Sequence, residues 1–124
     1  MDKHPKISQF LVVEDEMLLL LMIEDMLDDL GCEVVASAAS AEQALDIIAT
    51  RSFDAAMLDV NLNGAKSDEV AHALKARGVP FIFCSGGSTL DVPPEFQDRP
   101  FLRKPFSSLE LAHGVAKLNL AASL

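Results

Sequence analysis

Little in this sequence suits a membrane span, a zinc site or a nucleic-acid surface. Its longest apolar run covers residues 17–23, short of the roughly 20 residues that a membrane-spanning helix needs. Residues 1–10 carry no apolar signal-peptide region. There are two cysteines, Cys32 and Cys84, far apart and in no C-x-x-C pair. That argues against a disulfide framework or a cysteine zinc site, and it suits a reducing cytoplasm. The three histidines, His4, His72 and His113, are scattered, so surface or ordinary helix positions are expected rather than a metal cluster. No internal repeat, low-complexity tract, interdomain linker or basic patch occurs. The net charge is −9. An acidic surface repels phosphates, so neither nucleic acid nor an anionic membrane is an expected partner. Cations and basic protein surfaces are its natural complements.

The 124 residues are 50% apolar and 23% charged, which suits one soluble domain over 1–124 with a real core. Apolar runs read as strands at 8–13, 33–38, 54–58, 80–84 and 101–103. Helices are expected at 16–30, 41–50 and 67–76, with Gly31 and Gly78 closing the first and third and Ser40 capping the second. Residues 61–64 read as a loop. The stretch SGGSTLDVPPEFQDRP, 85–100, carries two glycines and three prolines, so it admits a short or irregular fourth helix and no long one. It has few apolar anchors and is expected to open locally at low cost. Ser107 caps a last helix running to about Leu120. Strands alternating with helices imply an α/β, doubly wound, parallel sheet covered on both faces. Ligands of such sheets gather at the carboxyl ends of the strands.

Five polar side chains fall at those ends. Glu14 and Asp15 follow the first strand, Asp59 the third, Ser85 the fourth and Lys104 the fifth. Each alone has an ordinary reading as a cap, a turn residue or a solvated lysine. Together they form a chemically complementary set. Clustered carboxylates favour a hard divalent cation, and Mg²⁺ commonly takes one or two carboxylates together with phosphate oxygens. Asp59 can act as a nucleophile on phosphorus. Lys104, expected to reach a solvated crevice, and Ser85 would then contact the phosphoryl oxygens. Asp15 would hold the metal directly, and Glu14 would orient a metal-bound water.

The segments VVEDE (12–16), MLDVNLNG (57–64), FIFCSGG (81–87) and LRKPF (102–106) resemble the receiver domains of two-component response regulators, over essentially the whole chain. The resemblance implies a five-stranded, three-layer α/β/α fold with flavodoxin-like strand order 2-1-3-4-5. It implies Asp59 as phosphoacceptor, Glu14 and Asp15 as the acid pair, Ser85 as the phosphate-sensing hydroxyl, Lys104 as the family's lysine and the Asn61 carbonyl as a Mg²⁺ ligand. It also implies a cis Lys104-Pro105 bond and Phe101 as a rotating aromatic switch. Gly87 stands at a position that influences dephosphorylation in the family. It offers no side chain, so a route for water to the phosphoryl group is expected to be open there. The segment PFIFCSGG is further similar to a receiver subclass whose fourth strand ends Phe-Ala-Thr-Gly-Tyr, associated with HWE-type kinases.

The implied partners are a sensor histidine kinase or histidine phosphotransfer protein and a downstream protein. The implied role is a phosphorylation-controlled interaction switch with no metabolite turnover. It would act either as a single-domain regulator or as a receiver cut from a longer protein. An aspartate-nucleophile phosphatase would carry Asp-x-Asp, but here the sequence is Asp59-Val60-Asn61, and an amide cannot serve as general acid. A phosphorylation-independent binding module would have no need of the complete set. A nucleotide-binding loop of the form G-x-x-x-x-G-K-[ST] is absent.

Overall fold

Strand β1 (Gln9–Val13) sits inside the sheet and is buried on both faces, which is why its apolar residues run without alternation. In the computed structural model, which describes residues 7–87 and 91–123, its neighbours are β2 (Glu33–Ala38) and β3 (Ala55–Asp59), both parallel to it. A two-residue hairpin, β4 (Asn61–Leu62) and β5 (Ala65–Lys66), comes after β3. Then come β6 (Phe81–Ser85) and the short edge strand β7 (Phe101–Arg103). The main sheet has the order β2-β1-β3-β6-β7, which is the expected 2-1-3-4-5. The order reverses between β1 and β3, so the crevice at the carboxyl ends of these two strands is the topological switch point.

Successive side chains on each strand feed two separate cores. Leu11, Val13, Ala56, Leu58, Phe81 and Phe83 face α2 (Ala41–Thr50) and α3 (Asp68–Ala76). Phe10, Val12, Ala55, Met57, Ile82 and Cys84 face α1 (Met17–Asp29) and α4 (Ser108–Ser123). Each large side chain buried this way contributes roughly 1.5–3 kcal/mol. The helices present matching stripes: Leu20, Ile23 and Leu27 from α1, Val70, Ala71 and Leu74 from α3, and Leu111, Val115 and Leu118 from α4.

Local signals set the helix ends. The Ser40 hydroxyl accepts the Gln43 N–H, and Gln43 reaches back to the Ala39 N–H. At α4, Ser107 and Glu110 exchange the two bonds of a capping box. Gly31 and Gly78 lie at positive φ just past α1 and α3, as their sequence positions predict.

Two stretches differ from their sequence reading. Residues 61–64 are not a simple loop, because Asn63 and Gly64, both at positive φ, form the turn of the β4–β5 hairpin. This Asn-Gly pair is itself a hairpin signal of the type I′ kind. The stretch after β6 is better anchored than its composition suggests. It forms a 3-10 turn at Pro94–Phe96, and Val92 and Phe96 are buried against Phe81 and Phe83. Arg99 stacks over Phe81, 4.7 Å from the ring centroid. Residues 88–90, within the stretch expected to open, lie outside the described residues.

Candidate functional site

β1 delivers Glu14 and Asp15 to the switch-point crevice. The backbone of Glu14 continues the ladder by donating to the Ala38 carbonyl, and its side chain turns inward to only 3% exposure. There Oε2 accepts the Glu16 N–H at the start of α1, 3.1 Å away. β3 delivers Asp59, 6% exposed, whose Oδ1 accepts the Asn61 N–H at 3.2 Å. From the end of β7, Lys104 places its ammonium 2.8 Å from Asp59 Oδ2 and 3.0 Å from Glu14 Oε1. The Lys104-Pro105 bond is cis, as the resemblance implies.

Lys104 reaches the crevice, as expected from the sequence, but its side chain is only 17% exposed there rather than well solvated. Two nearly buried carboxylates require a counter-charge, and the ammonium supplies it. Burial alone would depress the Lys104 pKa, but the hydrogen bonds it donates to Asp59 and Glu14 outweigh it and hold the pKa above the ordinary lysine value. Glu14 moves the other way from a typical ion-paired acid. Burial pushes its carboxyl up to about 7, against the opposing pull of the Glu16 N–H and Lys104. Cys84, the register partner of Asp59 on β6, is fully buried, and burial with the Asp59 charge raises its thiol pKa well above the ordinary range. It is a packing residue.

Ser85 is 2% exposed, and its Oγ accepts the Gly87 N–H at 2.9 Å. Phe101 pairs with Phe83 across β6 and β7, on the sheet face that Ser85 shares, and packs half-buried against the core of α2 and α3. The crevice is thus lined by Asp15, Asp59, Asn61, Ser85 and Lys104, with Glu14 just beneath.

Two residues of this crevice are not among the site residues expected from the sequence. Asn63 donates its backbone N–H to Asp15 Oδ2 at 3.1 Å and its side-chain amide to the Ala39 carbonyl at 3.3 Å. The hairpin turn thereby fixes the acid that lies furthest out. Asp91 reaches the crevice from beyond Ser85, and its carboxylate takes the space that a side chain on Gly87 would fill, so that edge is lined by a polar group.

The donor set fits a hard divalent cation. One oxygen each from Glu14, Asp15 and Asp59 lies within 4.8 Å of the others. Against the single ammonium of Lys104, the three acids bring a surplus of carboxylates, whose negative charge such an ion would neutralise.

Fold and crevice together define an α/β domain with an acidic site, only partly offset by a lysine, at its switch point. The chain belongs to the response regulator receiver domain family, whose model matches residues 10–116, and it is a receiver of two-component signalling. It is 29% identical over 109 residues to the transcriptional regulatory protein YvrH of Bacillus subtilis (strain 168), covering 85% of this chain and 46% of that protein. The chain therefore spans about half the length of the curated relative it matches. Among solved structures it is similar to SdrG from Sphingomonas melonis Fr1, with 43% identity, a TM-score of 0.83, and coverage of 92% of this chain and 98% of that one. The BeF3-activated conformation of SdrG, given as from Pseudomonas melonis Fr1, matches at 44% identity and a TM-score of 0.79, over 90% and 96% of the two chains. TrrA from Thermotoga maritima, in complex with Mg²⁺ and BeF, matches at 25% identity and a TM-score of 0.78, over 90% and 99%. Among the described residues, no helix is long and apolar enough to cross a membrane.

Proposed function

We propose that Asp59 accepts a phosphoryl group from a phosphohistidine of a sensor histidine kinase or histidine phosphotransfer protein, HWE-type kinases being the favoured donors. The observation that carries this reading is the state of the Asp59 carboxylate. It stands at a crevice floor with Oδ2 held by Lys104 and Oδ1 by the Asn61 N–H, so its orientation is set before any donor arrives.

In the transfer, an Asp59 oxygen bonds to phosphorus as the P–N bond of the donor breaks. The imidazole leaves with the bonding pair and takes up a proton. Lys104, already in hydrogen-bond contact, turns its charge to the phosphoryl oxygens, and Ser85 donates its hydroxyl hydrogen to one of them. Asp15, Asp59 and the Asn61 carbonyl would hold Mg²⁺, with Glu14 acting through a bound water. The ion would supply positive charge for the phosphoryl oxygens. Exposed apolar residues of α1, Met17, Leu18, Leu21 and Met22, begin just after Glu16 at the crevice and offer a surface for a protein donor.

The response would leave through Ser85 and Phe101, which share a sheet face, toward a downstream protein. On this reading the receiver works as a cytoplasmic switch that turns over no metabolite. Intact-mass measurement after incubation with acetyl phosphate and Mg²⁺ tests it. Wild type should gain one phosphoryl group and Asp59→Asn none; equal gain by both would overturn the assignment.

A further inference from the structure

The crevice wall beside Ser85 is built by two residues that are not adjacent in sequence. Gly87 has no side chain to place there, and the Asp91 carboxylate fills the space. A β-carbon on Gly87 would overlap Asp91 Oδ2 and lie 3.5 Å from Ser85 Oγ. Gly87 is not at positive φ, so its backbone does not call for glycine; the space beside it does. Asp91 Oδ1 also lies 4.0 Å from Lys66 Nζ on β5, with both side chains about half exposed. An ion pair this open adds little stability.

A carboxylate at that mouth does nothing to help an anionic phosphoryl group arrive, because it adds another negative charge facing it. It is suited to the later step. A carboxylate accepts a hydrogen from water and aims the water's lone pair, and Asp91 lines the same crevice as Asp59, Asn61 and Lys104. We propose that Asp91, admitted by Gly87, orients the water that hydrolyses the aspartyl phosphate and so sets the lifetime of the phosphorylated state. This rests on Asp59 being the phosphoacceptor. In the step, the water oxygen bonds to phosphorus while the bond from phosphorus to the Asp59 oxygen breaks. Asp59 leaves as a carboxylate with the bonding pair, and one water proton passes through Asp91 to solvent.

The test loads the full chain with acetyl phosphate and Mg²⁺, removes the donor, and follows loss of the phosphoryl group by intact mass. Asp91→Asn and Asp91→Ala should slow the loss on the order of tenfold, below the roughly 10²–10⁴ of a fully positioned base. Asp91→Glu should restore part of the rate, which a packing role would not predict. Gly87→Ala should push the carboxylate aside and slow the loss as well. Gly87→Ala combined with Asp91→Ala should be no slower than Asp91→Ala alone, because both remove the same interaction. Asp91→Asn decaying at the wild-type rate or faster, from normally loaded protein, overturns the proposal alone. So does a Gly87→Ala effect that persists undiminished in Asp91→Ala. Wild type that never loads overturns the Asp59 reading, and this one with it.

Discussion

With Lys104 removed, Glu14 and Asp59, 3% and 6% exposed, would face each other without the ammonium that now bridges them. Lys104→Met keeps the length of the side chain and removes the charge. It should cost the metal-free protein about 2 kcal/mol, discounted from the roughly 3–5 kcal/mol of a fully buried broken pair because the lysine is partly exposed. Urea denaturation measures it, and Mg²⁺ should recover part of the loss; a wild-type midpoint would show that the ammonium contributes nothing at rest. The strand-end residues Glu14, Asp15, Asp59, Ser85 and Lys104 were legible in the sequence, because a parallel sheet gathers the residues just past its strands along one edge. The burial of Lys104 was not, since it depends on how two acids behind it are covered. Asp91 was not legible either: it matters through the space that Gly87 leaves, and no motif encodes an empty volume.

Between elements, His72 and Glu95 tie α3 to the 3-10 turn beyond β6. The ring Nε2 lies 2.7 Å from Glu95 Oε1, Nδ1 lies 2.8 Å from the Asp68 carbonyl, and Lys75 adds a 3.5 Å contact to Glu95. The ring also packs edge-on against Phe96. The Glu95 carboxylate, with the Asp68 carbonyl, raises the His72 pKa above its ordinary 6.5, and His72 lowers that of Glu95 below its ordinary 4.5. The raised histidine contributes stability that is full below 6.5 and fades as pH rises through its folded value. The lowered acid contributes stability that is full above 4.5 and fades as pH falls through its folded value. The tie is therefore complete between these two limits. An NMR titration should place the His72 midpoint above 6.5, and Glu95→Gln should bring it back down; an unmoved midpoint would remove Glu95 as the cause. The strands and helices were readable from their apolar runs and caps. The β4–β5 hairpin was missed although Asn63-Gly64 announces it, because its strands are two residues each and show no periodicity. The anchoring of the stretch after β6 was missed because Val92 and Phe96 are isolated in sequence, and the core they join is assembled from elements distant along the chain.

For the whole molecule, the surplus of negative charge bears on metal binding. A cation that binds only the folded chain should raise its stability by about 2.7 kcal/mol at a hundred times its dissociation constant. Thermal melts with increasing Mg²⁺ should show this in wild type and much less in Asp15→Asn, and added monovalent salt should weaken it through screening. Equal stabilisation of both proteins would place the ion elsewhere. The partition of the interior has a different consequence. The two cores are separated by the strands of the sheet, so the helical layers on either side can change largely independently. Ser85 and Phe101 share the face of α2 and α3, while the exposed apolar residues of α1 lie on the other side. If, as proposed, α1 receives the donor and the Ser85–Phe101 face carries the response, lineages descending from such a chain can rewrite one surface without retuning the other.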